Sequence, residues 1–459
     1  MIQAINPATG ETIRAYEETA VAETARVIER AHAAFREWRR AGFADRAVRM
    51  RTAARRLREG KEEYARLMAV EMGKPVTQGR VEVEKCASVC EFYAGNAEGF
   101  LGRREVTTEA SRSFVTFEPL GVILAVMPWN FPFWQVFRAA APALMAGNAM
   151  VLKHASNVPG CALAIARVFH EAGFPPDLFA SVLVPAERVN ALIEHPLIQG
   201  ITLTGSTPAG SAVAARAGAL LKKTVLELGG SDPYLILEDA DLELAAETCA
   251  ASRLINAGQS CIAAKRFLVA EPVRARFEEL LVERMRRREM GDPLREQTAL
   301  GPLARHHLRD QIHRQVEQSV ARGARCLLGG QIPKGTGAFY PATVLTGVAK
   351  GMAVYDEETF GPVAAVMGVR DEAEAVAAAN DSPFGLGAAV FTRDAARGER
   401  LAAKELEAGC CFVNDFVRSD PRLPFGGVKQ SGYGRELAEF GMHEFVNIKI
   451  GRASCRERV

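Results

Sequence analysis

The sequence predicts an α/β protein built on parallel sheets, and three observations predict it. From residue 120 onward, short apolar runs rich in Val, Ile and Leu alternate with segments of helical period, the pattern of strand, crossover helix and parallel strand. Polar and glycine-bearing turns interrupt that alternation, and open parallel sheets place ligands in the turns at the carboxyl ends of their strands. With 459 residues and 48% hydrophobic content, the chain has material for two or three domains.

Residues 20–100 precede the alternation and read as helices. Apolar residues recur at helical spacing over 21–40, 44–60 and 62–72, with Arg and Glu between them, and a fourth such segment covers about 79–100. Residues 104–119 alternate through Val106, Phe114, Val115 and Phe117 and read as a hairpin. The first α/β unit then puts strands at 122–127, 149–153, 180–184 and 200–204, with helices at 159–173, 186–195 and 208–221. Thr207 as N-cap and Pro208 at the first helical position open the last of these. A strand-like run, 224–228, ends at Gly229-Gly230. The second unit reads helix 241–257, strand 266–270, helices 272–288 and 305–322, strand 362–369, helix 371–379, strand 387–391, helix 394–407 and strand 410–414. Asp239 and Asp241 offer the cap of its first helix and Gly258 its stop.

Composition excludes several classes. A formal charge of +2 gives no reason to expect nucleic acid or an anionic membrane as partner. Nine cysteines without a CxxC pair point to neither a disulfide scaffold nor structural zinc, so no metal is expected and a reducing cytoplasm fits. The start MIQAINPATGE lacks the basic and apolar regions of a signal peptide, and the apolar run 121–129 is too short to span a bilayer. The last nine residues, 451–459, read back through the codon table as a common sequencing adapter. They are expected to be non-native, which strips Cys455 of meaning; a basic tail is the alternative.

The chemistry concentrates between Thr224 and Arg266. Glu227 stands in the apolar run Thr-Val-Leu-Glu-Leu, where burial should raise its pKa and suit it as a general base. Cys261 lies in the turn between a helix and a strand; a thiol nucleophile needs a partner that takes its proton. A helix carboxyl end would raise the thiol pKa, so activation must come from elsewhere. Met127-Pro-Trp-Asn-Phe-Pro132 follows a strand directly, and an amide at Asn130 can donate to a developing oxyanion. Lys153 ends the next strand, where an ammonium suits a ribose or phosphate. The turn Thr204-Gly-Ser-Thr-Pro-Ala-Gly210 between strand and helix suits a pyrophosphate. Glu358-Thr-Phe-Gly-Pro362 adds a carboxylate and an aromatic face. Taken singly, each of these could be a turn, a solvated strand end or a small buried hydrophobe.

Together, PWNFP, TGSxxxG, LELGGSDP, GQSC, EETFGP and PFGGVKQSGYGRE stand in the order and approximate spacing of the aldehyde dehydrogenase superfamily, which the chain resembles from Asn6 to about Ile450. The resemblance implies a Rossmann-type dinucleotide domain (1–100 and 120–228), an α/β catalytic domain (229–430) and a β oligomerisation arm (101–119 and 440–450), in a homodimer or homotetramer. It implies that Cys261 attacks the aldehyde, Asn130 and the Cys261 amide hold the oxyanion, Glu227 activates the hydrolytic water and Glu436 assists proton relay. Trp129, Lys153, Ser156, Gly205, Ser206, Gly210, Leu228, Glu358 and Phe360 are implied at the cofactor, and Phe131, Trp134, Ser260 and Phe425 at the substrate.

Arg138, eight residues after Asn130, is similar to the succinate-semialdehyde branch, and a guanidinium there can bind a carboxylate bidentately. An Arg paired within the protein is the alternative. Some members of that branch carry a second Arg where this chain has Ile255; Arg253, or the loop Arg418-Ser419-Asp420 with Arg422, is the expected compensation. Ser156, where strict NAD users often have Glu, leaves NAD and NADP both open, with His154 nearby. The expected reaction is NAD(P)-dependent oxidation of succinic semialdehyde, a small-molecule aldehyde. The alternatives are a broad-specificity aldehyde dehydrogenase and a catalytically silent structural or binding homologue. A CoA-acylating relative usually lacks a glutamate at the Glu227 position, and a cofactor-free Cys esterase would turn over esters without a dinucleotide.

Overall fold

The computed structural model describes residues 1–454; Cys455 lies outside the described residues. Two parallel-based sheets carry the fold. The first has six strands in the order Gly432–Tyr433, Lys223–Glu227, Ile198–Thr204, Val122–Met127, Ala149–His154, Phe179–Ser181, all parallel except the antiparallel edge at Gly432–Tyr433. The second has seven, in the order Arg325–Leu328, Thr343–Thr346, Val363–Val369, Ala264–Ala270, Asp232–Ile236, Gly387–Phe391, Cys410–Val413, with only the first pair antiparallel. Their central strands, Val122–Met127, Ala149–His154 and Ala264–Ala270, are buried almost throughout, which is why they read as continuous apolar runs rather than alternating ones.

The amino-terminal helices Val21–Trp38, Phe43–Glu59, Lys61–Met72 and Val76–Leu101 present their Ala, Met and Val stripes to one continuous core with the first sheet. Trp38 Nε1 donates to Leu144 O at 2.9 Å, and Arg46 Nη1 donates to Met145 O at 3.0 Å. Both cap the carboxyl end of the buried helix Trp134–Ala146, whose last carbonyls would otherwise lack partners. Among the described residues no helix is long and apolar enough to cross a membrane.

Several local expectations shift. Asp232–Ile236 is a central strand that the sequence reading passed over, because Gly-Gly-Ser and Pro233 read as a turn. A register shift between Asp232 and Pro233 accommodates the proline. Arg325–Leu328 and Thr343–Thr346 are four-residue strands, too short for alternation to register, and an amino-terminal hairpin pairs Ile2–Ile5 with Thr12–Tyr16. The helix expected to start after Thr207 caps one residue earlier, at Ser206; the Thr207 hydroxyl instead donates to Gln430 O at 3.2 Å. The helix expected over 394–407 is Ala395–Arg400 followed by a π-helical turn, Leu401–Glu405.

The hairpin read over 104–119 forms Arg104–Glu105 against Arg112–Pro119, and Val446–Ala453 adds a third strand. Gly451, Arg452 and Ala453, assigned on sequence to the tail, continue that ladder opposite Phe114, Ser113 and Arg112.

Candidate active site

Parallel register lines up one edge of the six-stranded sheet. Val126 pairs with Lys153 and Thr204 with Glu227, so Asn130, Lys153, Gly205 and Glu227 emerge side by side at carboxyl ends. The seven-stranded sheet contributes its opposite edge. Cys261 precedes Ala264–Ala270, in the turn between helix and strand where the sequence placed it, and Glu358 precedes Val363–Val369, both at amino ends. Asn130 Nδ2 donates to Gln259 O at 3.1 Å, and Gly230 N donates to Glu358 Oε1 at 3.0 Å, tying the two edges together.

The nucleophile loop is held in an unusual backbone path. The helix Leu242–Leu254 ends two residues short of Asn256, which has φ 51°, followed by Ala257 at 54° and Gly258 at 74°. Two non-glycine residues in the left-handed region cost of order 1–3 kcal/mol each and persist only where surroundings over-determine them. The surroundings here do so. Asn256 N donates to Gln78 Oε1 at 2.7 Å, Asn256 Nδ2 to Asn130 O at 2.6 Å, and Gln259 Nε2 to Asn256 O at 3.0 Å. A Cβ on Gly258 would overlap the Gly361 carbonyl. Beneath the loop, buried Lys265 donates to Ser260 O at 3.0 Å and Cys261 O at 2.7 Å. Lys265 and Asn256 carried no weight in the sequence reading; a Lys inside an apolar strand start was the available signal.

Burial pushes the Cys261 thiol up to about 12, with Arg138 and Lys265 opposing and Glu227 and Glu358 adding to it. The resting thiol is therefore protonated at neutral pH, and attack needs a base. Glu227 is 1% exposed and neither carboxylate oxygen has a hydrogen-bond partner among the described residues. Burial raises its pKa, against the pull of Arg138. An unsatisfied buried carboxyl that acts electrostatically on a half-buried thiol is a candidate general base.

One cavity of about 430 Å³ is lined by Cys261, Ser260, Phe131, Trp134, Arg138 and Phe425, which brings all five sequence-predicted substrate residues to the nucleophile. Arg138 forms a buried ion pair with Glu436 through Nε, and its Nη2 donates to Thr204 Oγ1 at 3.2 Å. Its guanidinium lies 4.8 Å from the Phe425 ring centre. Thr202 Oγ1 donates to Glu436 Oε1 at 3.4 Å, and Phe425 and Glu436 exchange backbone hydrogen bonds of 2.7 Å. Arg253 does not reach the cavity: it is fully buried and donates to Gly258 O at 2.7 Å. Arg422 is exposed and pairs with Asp420.

The expected cofactor residues line the carboxyl edge of the first sheet and its junction with the second. Lys153 is 6% exposed with no hydrogen bond or ion pair among the described residues, the condition of an ammonium awaiting an anionic or hydroxyl partner. A Cβ on Gly210 would overlap the Leu228 side chain, so the helix behind Gly205 and Ser206 seats tightly against the strand end. Trp129 and Phe360 meet edge to face at 5.8 Å. Glu358 also approaches Lys265 at 3.7 Å, and burial raises its pKa. Ser156 is half-buried. His154 is no phosphate anchor: Ala155 N donates to its Nδ1, its Nε2 donates to Pro132 O at 2.9 Å, and burial lowers its pKa to about 4.

The sequence model described as "Aldehyde dehydrogenase family" matches residues 1–450. A Synechocystis protein named "Probable succinate-semialdehyde dehydrogenase", NADP+-dependent by that name, is 49% identical over 98% of both chains. An Escherichia coli K12 succinate semialdehyde dehydrogenase, named for NAD(P)+, is 46% identical over 97% of this chain and 96% of its own. The crystal structure of succinic semialdehyde dehydrogenase from Streptococcus pyogenes with NADP+ superposes with a TM-score of 0.96 at 37% identity, covering 99% of this chain and 100% of that one.

Proposed function

The chain belongs to the aldehyde dehydrogenase family, and from that premise we propose that it oxidises succinic semialdehyde to succinate with NAD or NADP through a thioester on Cys261. The observation that carries this reading is the cavity that joins Cys261 to the predicted substrate residues and to cations in its wall, with the buried Glu227 carboxyl, unsatisfied among the described residues, acting electrostatically on the thiol.

In this mechanism Glu227 takes the Cys261 proton and the sulfur adds to the aldehyde carbon. The new alkoxide is held by Asn130 Nδ2 and the Cys261 N–H, a contribution of about 10²–10³ in kcat per donor. The nicotinamide, when bound, supplies the hydride acceptor that turns the thiohemiacetal into a thioester. Glu227 then takes a proton from water; the hydroxyl adds to the thioester carbon, the C–S bond breaks, and succinate leaves as the thiol is reprotonated. Glu436, held between Arg138 and Thr202, is the proposed exit for the proton. Lys153 and Glu358 are proposed to hold the cofactor riboses, with Gly205, Ser206 and Gly210 along the pyrophosphate, Trp129, Leu228 and Phe360 around the nicotinamide side, and Ser156 admitting a 2′-phosphate. Residues 1–100 with 120–228 form the proposed dinucleotide domain and 229–430 the catalytic domain. The outer three-stranded sheet, with Ile448 60% and Ile450 77% exposed, is proposed as the surface of a homodimer or homotetramer. The eight cysteines among the described residues are unpaired, which fits a reducing cytoplasm.

A broad-specificity aldehyde dehydrogenase is the second reading, favoured by the engagement of Arg138 with Glu436. Initial rates of NADH and NADPH formation with succinic semialdehyde, propanal and benzaldehyde separate the two. A kcat/KM at least tenfold higher for the semialdehyde is expected; equal or better rates with the neutral aldehydes would leave only the broader reading.

A further inference from the structure

An oxyanion donor acts only if its amide is fixed where the alkoxide forms, so the groups that hold Asn130 bear on the rate as directly as Asn130 does. Asn130 Nδ2 donates to Gln259 O at 3.1 Å, which occupies one of its two N–H groups and leaves the other without a partner among the described residues. The Asn130 backbone carbonyl accepts from Asn256 Nδ2 at 2.6 Å, and the same Nδ2 reaches Gln259 O at 3.3 Å. Asn256 thus ties the Asn130 backbone to the carbonyl that orients the Asn130 side chain. Both neighbours of its Nδ2 are carbonyl oxygens, so the Asn256 amide can be seated only this way round.

Asn256 is fully buried and stands at φ 51°, a conformation that asparagine tolerates better than most side chains. Gln78, on the helix Val76–Leu101, holds that conformation from 178 residues away: its Oε1 accepts from Asn256 N at 2.7 Å. Gln78 is fastened in turn, its Nε2 donating to Ala299 O at 3.0 Å. On the other side, Gln259 Nε2 donates to Asn256 O at 3.0 Å and Gln259 Oε1 accepts from Ala304 N at 2.8 Å. Three carboxamides therefore join the amino-terminal helices, the nucleophile loop and the Asn130 turn, with no charged group among them.

We infer that Asn256, held by Gln78, is the positioning residue of the oxyanion site: it sets where the Asn130 amide stands and touches no reacting atom itself. This rests on the proposed role of Asn130 and names what keeps that donor in place. Neither Asn256 nor Gln78 has a hydrogen bond to the Cys261 thiol among the described residues. Losing them should therefore slow addition of the sulfur to a carbonyl, which builds an oxyanion, and spare displacement at a saturated carbon, which builds none.

The test follows three reactions: oxidation of succinic semialdehyde, cleavage of 4-nitrophenyl acetate, in which the sulfur adds to the acetyl carbon and 4-nitrophenolate leaves, and alkylation of Cys261 by iodoacetamide, in which it displaces iodide. The proteins are wild type, Asn256→Gly, Gln78→Met, Gln78→Glu, Asn130→Ala and the double variant Asn130→Ala with Asn256→Gly. Glycine keeps the left-handed backbone and removes only the side chain. A misplacement of about 1 Å costs on the order of 10²-fold, so Asn256→Gly should lower kcat for oxidation and the rate of ester cleavage by about 10- to 100-fold, with the aldehyde KM little changed. Gln78→Met should lower both by about tenfold, and Gln78→Glu, which keeps the acceptor for Asn256 N, should recover most of that loss. Alkylation of Cys261, read by peptide mass, should stay within about twofold of wild type. In the Asn130→Ala background, Asn256→Gly should cost at most about threefold more, as expected of a group that acts through another. Thermal melts check that each variant is folded, and the Gln78 variants keep the test decisive if Asn256→Gly is not. Wild-type rates in Asn130→Ala would defeat the oxyanion reading and this inference with it. A loss in Asn130→Ala with wild-type rates in Asn256→Gly and Gln78→Met overturns the inference alone, as does an alkylation rate that falls in step with ester cleavage.

Discussion

Glu227 illustrates how a single buried group couples stability to catalysis. Its folded pKa is raised to about 8, above the ordinary carboxyl value of 4.5, chiefly by burial. The neutral acid is therefore the form the fold favours. The stability tied to it is present in full below the unfolded pKa and is lost as pH rises through the folded one. Glu227→Gln removes the ionisation. Thermal melts from pH 5 to pH 9 should show little difference between variant and wild type at the acid end, and a growing advantage for the variant toward pH 9. The same variant should lose about 10²- to 10⁴-fold in turnover, because a positioned general base contributes that much. A variant that melts lower than wild type at pH 9 would count against burial as the source of the shift. The residue itself was legible in sequence from its polar intrusion into an apolar run; its lack of any hydrogen-bond partner was not, since its surroundings, around Gly426, Arg138 and Glu436, are assembled only by folding.

Among the elements, the turn between Leu254 and Ala264 carries the most function per residue. Gly258, at φ 74°, packs against the Gly361 carbonyl with no room for a side chain. Gly258→Ala should keep the overall secondary structure yet displace Cys261. A misplacement of about 1 Å costs on the order of 10²-fold in rate, so kcat should fall by about that factor while far-ultraviolet circular dichroism is unchanged. Iodoacetamide labelling of Cys261 should change with it; wild-type kcat in the variant would show that the turn tolerates the added methyl. The sequence reading placed the helix stop at Gly258 correctly in kind but two to three residues late in extent. Helical period continues through Ile255, whereas the left-handed Asn256 and Ala257 are enforced by Gln78 and Asn130, more than 120 residues away.

At the scale of the whole molecule, the outer three-stranded sheet leaves apolar side chains exposed. Ile448 and Ile450 project from its edge strand Val446–Ala453, an exposed apolar pair of the kind an assembly interface covers. If that sheet is the proposed assembly surface, the double variant Ile448→Asp with Ile450→Asp should sediment as a smaller species than wild type. The core, which does not include these side chains, should keep its melting temperature in the monomeric limit. Unchanged sedimentation would place the interface elsewhere.

The sequence by itself determined the fold class and most of the longer elements, and it proposed Cys261, Glu227 and Asn130 as the centre of the site, because periodicity, turn chemistry and motif order are local properties that survive in one dimension. The tertiary structure alone decided which charges remain free. Arg138 stands without a partner in the sequence, and only folding brings Glu436, nearly three hundred residues on, to pair with it. Lys85 carries no signal in the sequence, and only folding sets it beside Ser419 and Trp134 in the wall of the cavity that Cys261 also lines. Net charge at a site is a sum over neighbours in space, and a linear chain does not list those neighbours.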